Sequence, residues 1–230
     1  MAKKFAVIGM GVFGSHLARA LYQQGAEVLV MDEDMTRIDE IKHEVTHALC
    51  IDTTNEQALA NAGVVEFDAV VVCMGEDFEA VVLTVATLQQ LGVRRIVARA
   101  RTKIHERILE HLGVSEIVLP SVEAAVRMSS SLLMESWLDS FDLSDDYTIV
   151  EMKAPERFIG QTLAVLDLRK RHDVSIITIR RHVSKKPLRR AFRRGASTII
   201  GTPSPETVIE RGDVLIVFGR AVNIQEMDAS

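Results

Sequence analysis

The sequence predicts an α/β protein in two parts: a doubly wound parallel sheet over residues 1–119 and a small α+β domain over residues 146–230. Three observations carry that prediction. Short runs rich in Val, Ile and Ala recur at 5–9, 27–31, 47–51, 68–73, 95–98 and 116–119, with helical patterns between them. Strands that are apolar almost throughout suit a parallel sheet covered on both faces, and their alternation with helices implies right-handed crossovers. Charge is also unevenly spread: acidic residues outnumber basic ones over 1–145, and the reverse holds over 146–230, although the net charge is only −5. Finally, the strand–helix rhythm changes after Pro120.

The first strand runs into Gly9-x-Gly11-x-x-Gly14, and a helical pattern extends from Val12 to about Gln24. Glycines at that spacing turn the chain sharply, admit a phosphate close to the backbone and let helix pack on strand. The helix N-terminus adds free N–H groups and partial positive charge. Asp32 ends the second strand, where a ribose-binding carboxylate belongs. The first part is therefore expected to be Rossmann-like and to bind an adenine nucleotide, with Gly9, Gly11, Val12, Phe13 and Gly14 at the turn. The plainer alternative is a strand–helix turn whose glycines serve packing alone.

Ligands of such sheets lie outside the carboxyl ends of the strands. After the third strand, Asp52 and Thr53 suit either an adenine edge or the cap of the next helix. After the fourth come Cys73, Met74 and Gly75, with Gly75 letting backbone pass beneath a ligand. The fifth ends in Arg99 and Arg101, which offer fixed positive charge to phosphates or simply lie on the surface. His105 opens the next helix beside them, as a site residue or a helix-surface histidine. Asn55 and Thr102 mark helix starts, and Gly25, Gly63, Gly92 and Gly113 mark helix ends.

Pro120 opens a longer helical pattern, expected over Val122 to Leu138, with its apolar stripe ending on Trp137, the single tryptophan. Such a stripe needs cover from the next domain or a second subunit. Ser140 to Tyr147 is polar and acidic and reads as the boundary. Beyond it, strands are expected at Thr148–Lys153, Ser175–Ile179, Thr198–Ile200 and Val214–Phe218, with a short helix near Leu166–Arg171.

No apolar run approaches the roughly 18 residues of a membrane span, so a soluble, cytoplasmic protein is expected. Cys50 and Cys73 both lie in apolar runs and read as buried, reduced thiols rather than a disulfide or zinc pair. No nucleophile elbow, paired helix histidines or phosphate-loop lysine occurs, so no catalytic residue and no protein-held metal is assigned. A small NAD-dependent oxidoreductase is the enzymatic alternative, and it lacks a residue set to move a proton beside a hydride. The basic stretch from Arg180 to Arg194 reads as a solvated hairpin loop; a nucleic-acid-binding role for it is the weakest reading, and no nucleic-acid partner is expected.

At this point the chain resembles, nearly end to end, the cytosolic regulatory subunits of bacterial Ktr/Trk-type potassium uptake systems, the RCK proteins (regulators of potassium conductance). The resemblance rests on FAVIGMGVFG (5–14), VLVMDED (28–34), THALCIDTTNE (46–56), FDAVVVCMGED (67–77), HERILEHLGVSEIVLP (105–120) and LSDDYTIVEM (143–152). In the second part it rests on LDLRKRHDVSIITI (166–179) and TPSPETVIERGDVLIVFG (202–219).

The resemblance implies a Rossmann-like RCK N domain over 1–119 that binds ATP, ADP or NAD(H), a crossover helix and hinge over 120–140, and an RCK C domain over 146–230. It implies a homodimer assembling to an octameric ring under a membrane-embedded potassium-translocating subunit, at the inner face of the cell membrane. Nucleotide exchange would reshape the ring and gate the pore. Carried over by position, nucleotide contacts fall at Gly11, Val12, Asp32, Glu33, Asp34, Asp52, Thr53, Cys73, Met74, Gly75, Arg99, Arg101 and His105. A second ligand, cyclic di-AMP, would meet the C domain around Asp167, Leu168, Arg169, Ile176 and Pro203. The chain departs from the family pattern at Val12, where relatives carry an arginine for the terminal phosphates. It departs again at Ser121, where a glutamate can hold a divalent metal near the phosphates; Glu123 lies two residues on.

Overall fold

The computed structural model describes residues 2–75, 77–114, 116–134, 136–182 and 197–229. Its contacts divide into two units, Met1–Val122 and Glu123–Ser230.

The first unit is built on six parallel strands: β1 Lys4–Ile8, β2 Glu27–Asp32, β3 His47–Cys50, β4 Ala69–Val72, β5 Ile96–Arg99 and β6 Glu116–Val118. Their spatial order is β3-β2-β1-β4-β5-β6. The chain thus winds outward from β1 in one direction, returns, and winds the other way from β4. That reversal leaves a crevice between β1 and β4 at their carboxyl ends. Side chains of successive strand residues point to opposite faces, so each central strand feeds two cores. Ala6, Ile8, Leu29, Met31, Val70 and Val72 lie in one; Val7, Val28, Val30 and Val71 lie in the other. This two-sided burial is why the strands read as unbroken aliphatic runs.

Helices α1 Val12–Gln23, α2 Met35–Ile41, α3 Glu56–Asn61, α4 Phe78–Gln90 and α5 Lys103–His111 connect the strands. Their starts are chemically specified. Asp34, Asn55, Asp77 and Thr102 each cap a helix by accepting from a backbone N–H two or three residues on.

The edge strand β3 corrects one expectation. Cys50 is exposed, whereas Cys73 is buried as expected. An edge strand is covered less completely than the central β4, so an apolar run there does not imply a buried thiol.

Helix α6, Pro120–Leu133, follows β6. None of its described side chains is buried, and Val126, Met128, Leu132 and Leu133 are 49–79% exposed. The expected helix from Val122 to Leu138 is too long. It stops at Leu133, and Trp137 opens strand β7, Trp137–Asp142, where it pairs with Met152. The four-residue step from Leu133 to Trp137 imitates a helical stripe, but Trp137 is 5% exposed in the second unit's own core.

The second unit is a five-stranded antiparallel sheet, ordered β10-β9-β11-β8-β7. With β7, it comprises β8 Tyr147–Lys153, β9 Ser175–His182, β10 Ser197–Ile200 and β11 Val214–Arg220. The acidic segment Ser140 to Tyr147, expected as the boundary, therefore lies within this second unit. Phe141 pairs with Ile149 and Asp142 with Thr148, and the Tyr147 N–H donates to Ser144 Oγ across the turn. The expected helix at Leu166–Arg171 is broken into α7 Leu163–Leu166 and α8 Leu168–His172 by Asp167, whose φ is +45°. A last helix, α9 Ala221–Ala229, buries Ile224 and Met227. Arg180 and Arg181 lie on β9; the remainder of the basic stretch, with Lys185, Lys186, Arg189, Arg190, Arg193 and Arg194, falls outside the described residues. Among the described residues no helix is long and apolar enough to cross a membrane.

Candidate functional site

The carboxyl ends of β1 to β5 border one groove of about 590 Å³. At its centre is the β1–α1 turn. Gly9 has φ +90°, and a Cβ there would sit 2.7 Å from the Met74 backbone N. Only glycine satisfies both conditions. A Cβ on Gly14 would lie 2.0 Å from the Gly9 carbonyl oxygen, so the helix packs directly on the turn. Gly11 differs: a Cβ there would meet nothing within 4 Å. Gly11 is the N-cap of α1, offers no side-chain cap, and no acidic residue follows in the first turn. The first amides of α1 and its positive end are thus left without a side-chain counterpart, which suits an anion. Val12, beside them, is 81% exposed.

Asp32 is held rigidly at the end of β2. Its Oδ2 accepts from the Met10 N–H at 2.6 Å and its Oδ1 from the Asp34 N–H at 2.9 Å. The Arg37 guanidinium lies 3.6 Å from Oδ2. A carboxylate has about four acceptor positions, so capacity remains for a ribose hydroxyl. Glu33 borders the same groove. Asp34 does not: it turns to cap α2, accepting from the Thr36 N–H at 2.8 Å. That hydrogen bond, with Arg37 nearby, holds its carboxyl below the usual range.

Asp52 accepts from both the hydroxyl and the N–H of Thr54, at 2.7 and 2.9 Å, and these keep its carboxyl below the usual range. Since Asn55 caps α3, the capping alternative for Asp52 and Thr53 is not what the structure shows. Thr53 is buried; its hydroxyl lies 3.3 Å from that of Thr84, which donates to the Thr53 carbonyl at 3.2 Å. Cys73 is enclosed, and burial pushes its thiol up to about 12 against the opposing charge of Arg99.

The basic wall is formed by the end of β5. Arg99 stands over the Phe13 ring, its guanidinium carbon 5.6 Å from the ring centroid. Its Nε is buried and has no hydrogen-bond partner among the described residues. A Cβ on Gly75 would come within 2.9 Å of an Arg99 terminal nitrogen. Arg101 donates to the Gly75 carbonyl at 2.9 Å.

Twelve of the sixteen residues expected at the nucleotide site border this groove; Phe13, Gly14, Asp34 and His105 do not. Phe13 supports Arg99, Gly14 packs the helix on the turn, and Asp34 caps α2. His105 stacks on Phe78, with ring centroids 3.8 Å apart. Sequence reasoning missed Arg37, Thr54 and Asp77, which also border the groove. A signal for Arg37 existed: capped by Asp34, α2 must start beside Asp32, and an arginine in its first turn then faces that carboxylate. Among the described residues no group of three or more His, Cys, Asp or Glu is placed to hold a metal.

In the second unit, a separate cavity of about 510 Å³ is bordered by all five residues expected at a second ligand site: Asp167, Leu168, Arg169, Ile176 and Pro203. The Arg169 Nε donates to Ser175 Oγ at 3.0 Å.

Comparison with known proteins bears on both units. The TrkA-N domain model matches residues 5–120. The chain is 35% identical over 228 residues to Ktr system potassium uptake protein C of Bacillus subtilis (strain 168), covering 99% of this chain and 97% of that protein. It is 30% identical to Ktr system potassium uptake protein A of the same organism, covering 98% and 96%. Among solved structures, the GsuK RCK domain matches with a TM-score of 0.64 at 17% identity, over 100% of this chain and 47% of that one. The GsuK channel bound to NAD matches with 0.61 at 18% identity, over 97% and 38%. At such identities the structural matches establish the fold alone.

Proposed function

The chain belongs to the TrkA-N family, among the Ktr-type potassium uptake proteins, and from that premise we propose that it is the nucleotide-sensing regulatory subunit that gates a membrane potassium transporter. The observation that carries this reading is the convergence at one groove of an uncapped helix N-terminus at Gly11, the fixed carboxylate of Asp32 and the guanidinium groups of Arg99 and Arg101. Phosphate, ribose and charge each have a counterpart there. Its relatives are potassium uptake proteins, not oxidoreductases, so the same groove serves sensing rather than turnover.

In this reading Asp32 holds the adenosine ribose, Glu33, Asp52 and Thr53 border the base end, and Gly11, Val12, Gly75, Arg99 and Arg101 border the phosphates. The ligand is ATP, ADP or NAD(H), and any divalent cation arrives with the phosphates rather than in a protein cage. Bound ligand biases the protein only through unequal affinity for two conformations. The protein acts in the cytoplasm against its membrane partner, as a homodimer building an octameric ring. The uncovered apolar side of α6 supports such assembly. The cavity at Asp167 and Arg169 is the place for cyclic di-AMP, supported by an apolar wall of Leu168, Ile176 and Pro203 beside one guanidinium.

Isothermal calorimetry with ATP, ADP, NAD and NADH tests the central claim. Binding that Asp32→Ala weakens by about tenfold or more is expected. Absence of heat with every one of them at millimolar ligand would overturn the sensing reading.

A further inference from the structure

The groove has three guanidinium groups, and they are unequally free. Arg37 is committed to Asp32 and Asp34, at 3.6 and 3.5 Å. Arg101 spends one N–H on the Gly75 carbonyl. Arg99 alone has a buried donor, Nε, with no partner among the described residues. Its position is set from two sides, by the Phe13 ring and by the bare face of Gly75, where a Cβ would intrude to 2.9 Å. A guanidinium fixed in this way, with its Nε enclosed, presents its terminal nitrogens beside Gly75 at the groove.

The α1 end of the groove is poor in charge. The first helical residue of α1 is Val12, 81% exposed, and the helix end itself contributes only about half a unit charge. Four carboxylates, Asp32, Glu33, Asp52 and Asp77, border the same groove. A second phosphate finds Arg99; a third finds exposed valine and a surplus of negative charge.

Resting on the nucleotide reading above, we propose that Arg99 makes this groove a reader of the diphosphate, taking nucleoside diphosphates and dinucleotides over monophosphates while gaining nothing from a third phosphate. Arg99 binds the phosphate next to the one held at the α1 N-terminus. Val12 is the reason the count stops there. Specificity is set by Arg99 at the end of β5, with Arg101 held to the Gly75 carbonyl, and by the lack of a cation at the start of α1.

The test is calorimetry of the full-length protein with AMP, ADP and ATP in metal-free buffer. ADP is expected to bind about tenfold or more tighter than AMP, a difference of about 1.4 kcal/mol that one charged hydrogen-bonding group supplies, and ATP within about threefold of ADP. Arg99→Gln should bring ADP down to the level of AMP while leaving AMP nearly unchanged. Val12→Arg, at an exposed position that tolerates the change, should make ATP about tenfold tighter than ADP and serves if Arg99→Gln does not fold. ATP already tenfold tighter than ADP in the unsubstituted protein overturns the proposal, as does equal loss of AMP and ADP in Arg99→Gln. Silence with all three nucleotides overturns the nucleotide reading itself, an outcome distinct from either.

Discussion

Arg181 on β9 closes a two-pronged contact on Asp213 in the turn before β11: Nε donates to Oδ1 at 2.8 Å and a terminal nitrogen to Oδ2 at 2.7 Å. Asp213 is 1% exposed and also accepts from the Glu210 N–H at 2.8 Å. Arg181 further donates to the Val208 carbonyl and to Glu210. Burial alone would raise the Asp213 carboxyl, but Arg181 and the Glu210 N–H outweigh it and the group ends below the usual range. Its contribution to stability is therefore present above the unfolded-state pKa of about 3.9 and is lost as pH falls towards the lower folded value. Asp213→Asn should cost about 3 kcal/mol at neutral pH by leaving a partly buried guanidinium with only the exposed Glu210 to compensate it. Urea melts at pH 7 and at about pH 3 check this, and the difference between the two proteins should shrink at the lower pH.

Two glycines of the turn, Gly14 and Gly11, should separate folding from binding. Gly14→Ala drives a methyl into the Gly9 carbonyl and is expected to cost about 3 kcal/mol or more. Gly11→Ala meets no protein atom and has φ −69°, so its stability should change by less than about 0.5 kcal/mol. Nucleotide affinity should nevertheless fall about tenfold or more in Gly11→Ala. Thermal melts and calorimetry on the same preparations read the two effects apart.

Asp32→Ala should not be silent structurally. It removes the acceptor for the Met10 and Asp34 N–H groups, one of them in a buried setting. A loss of about 1–3 kcal/mol is expected alongside the loss of ligand. Asp32→Asn keeps one acceptor oxygen and should recover part of the stability while still binding weakly, which denaturant titration of the two variants will show.

The two thiols should react unequally. Cys50 is exposed and Cys73 is enclosed, with its thiol pushed up to about 12. At pH 8 about one Cys73 side chain in ten thousand would be thiolate even if it were reached. Titration with a chromogenic disulfide should count one thiol per chain in the native protein and two after denaturation.

Trp137 gives a view of the second unit by itself. It is the sole tryptophan and sits in that unit's core with Val150, Met152 and Leu215. Saturating nucleotide should stabilise the first unit by mass action and raise its melting temperature in circular dichroism. The tryptophan emission transition should move less. Equal shifts in both signals would show that the units unfold as one.

The first unit was legible because its chemistry is local. A glycine demanded at φ +90°, a carboxylate at a strand end and unbroken aliphatic runs all announce themselves within a few residues. The five sites at strand ends could be placed together because the winding order follows from the alternation of strand and helix. What escaped reading depended on partners distant in the chain. Trp137 continues the α6 spacing, and only its pairing with Met152 makes it a strand residue. Cys50 lies in an apolar run whose exposure depends on β3 being the edge. Arg37 is an ordinary helix-surface residue until Asp32 is seen beside it. Helix α9 has only Ile224 and Met227 as buried anchors, too few to establish a period.

Helix α6 has a thermodynamic consequence. At 14 residues it is near the length at which an unsupported helix is marginal in water, and none of its described side chains is buried. In the assembly proposed above, its order is drawn from association, and association obeys mass action. Dilution should loosen this segment before anything else in the chain, so the cell's copy number of the protein enters its folding equilibrium as a variable in its own right.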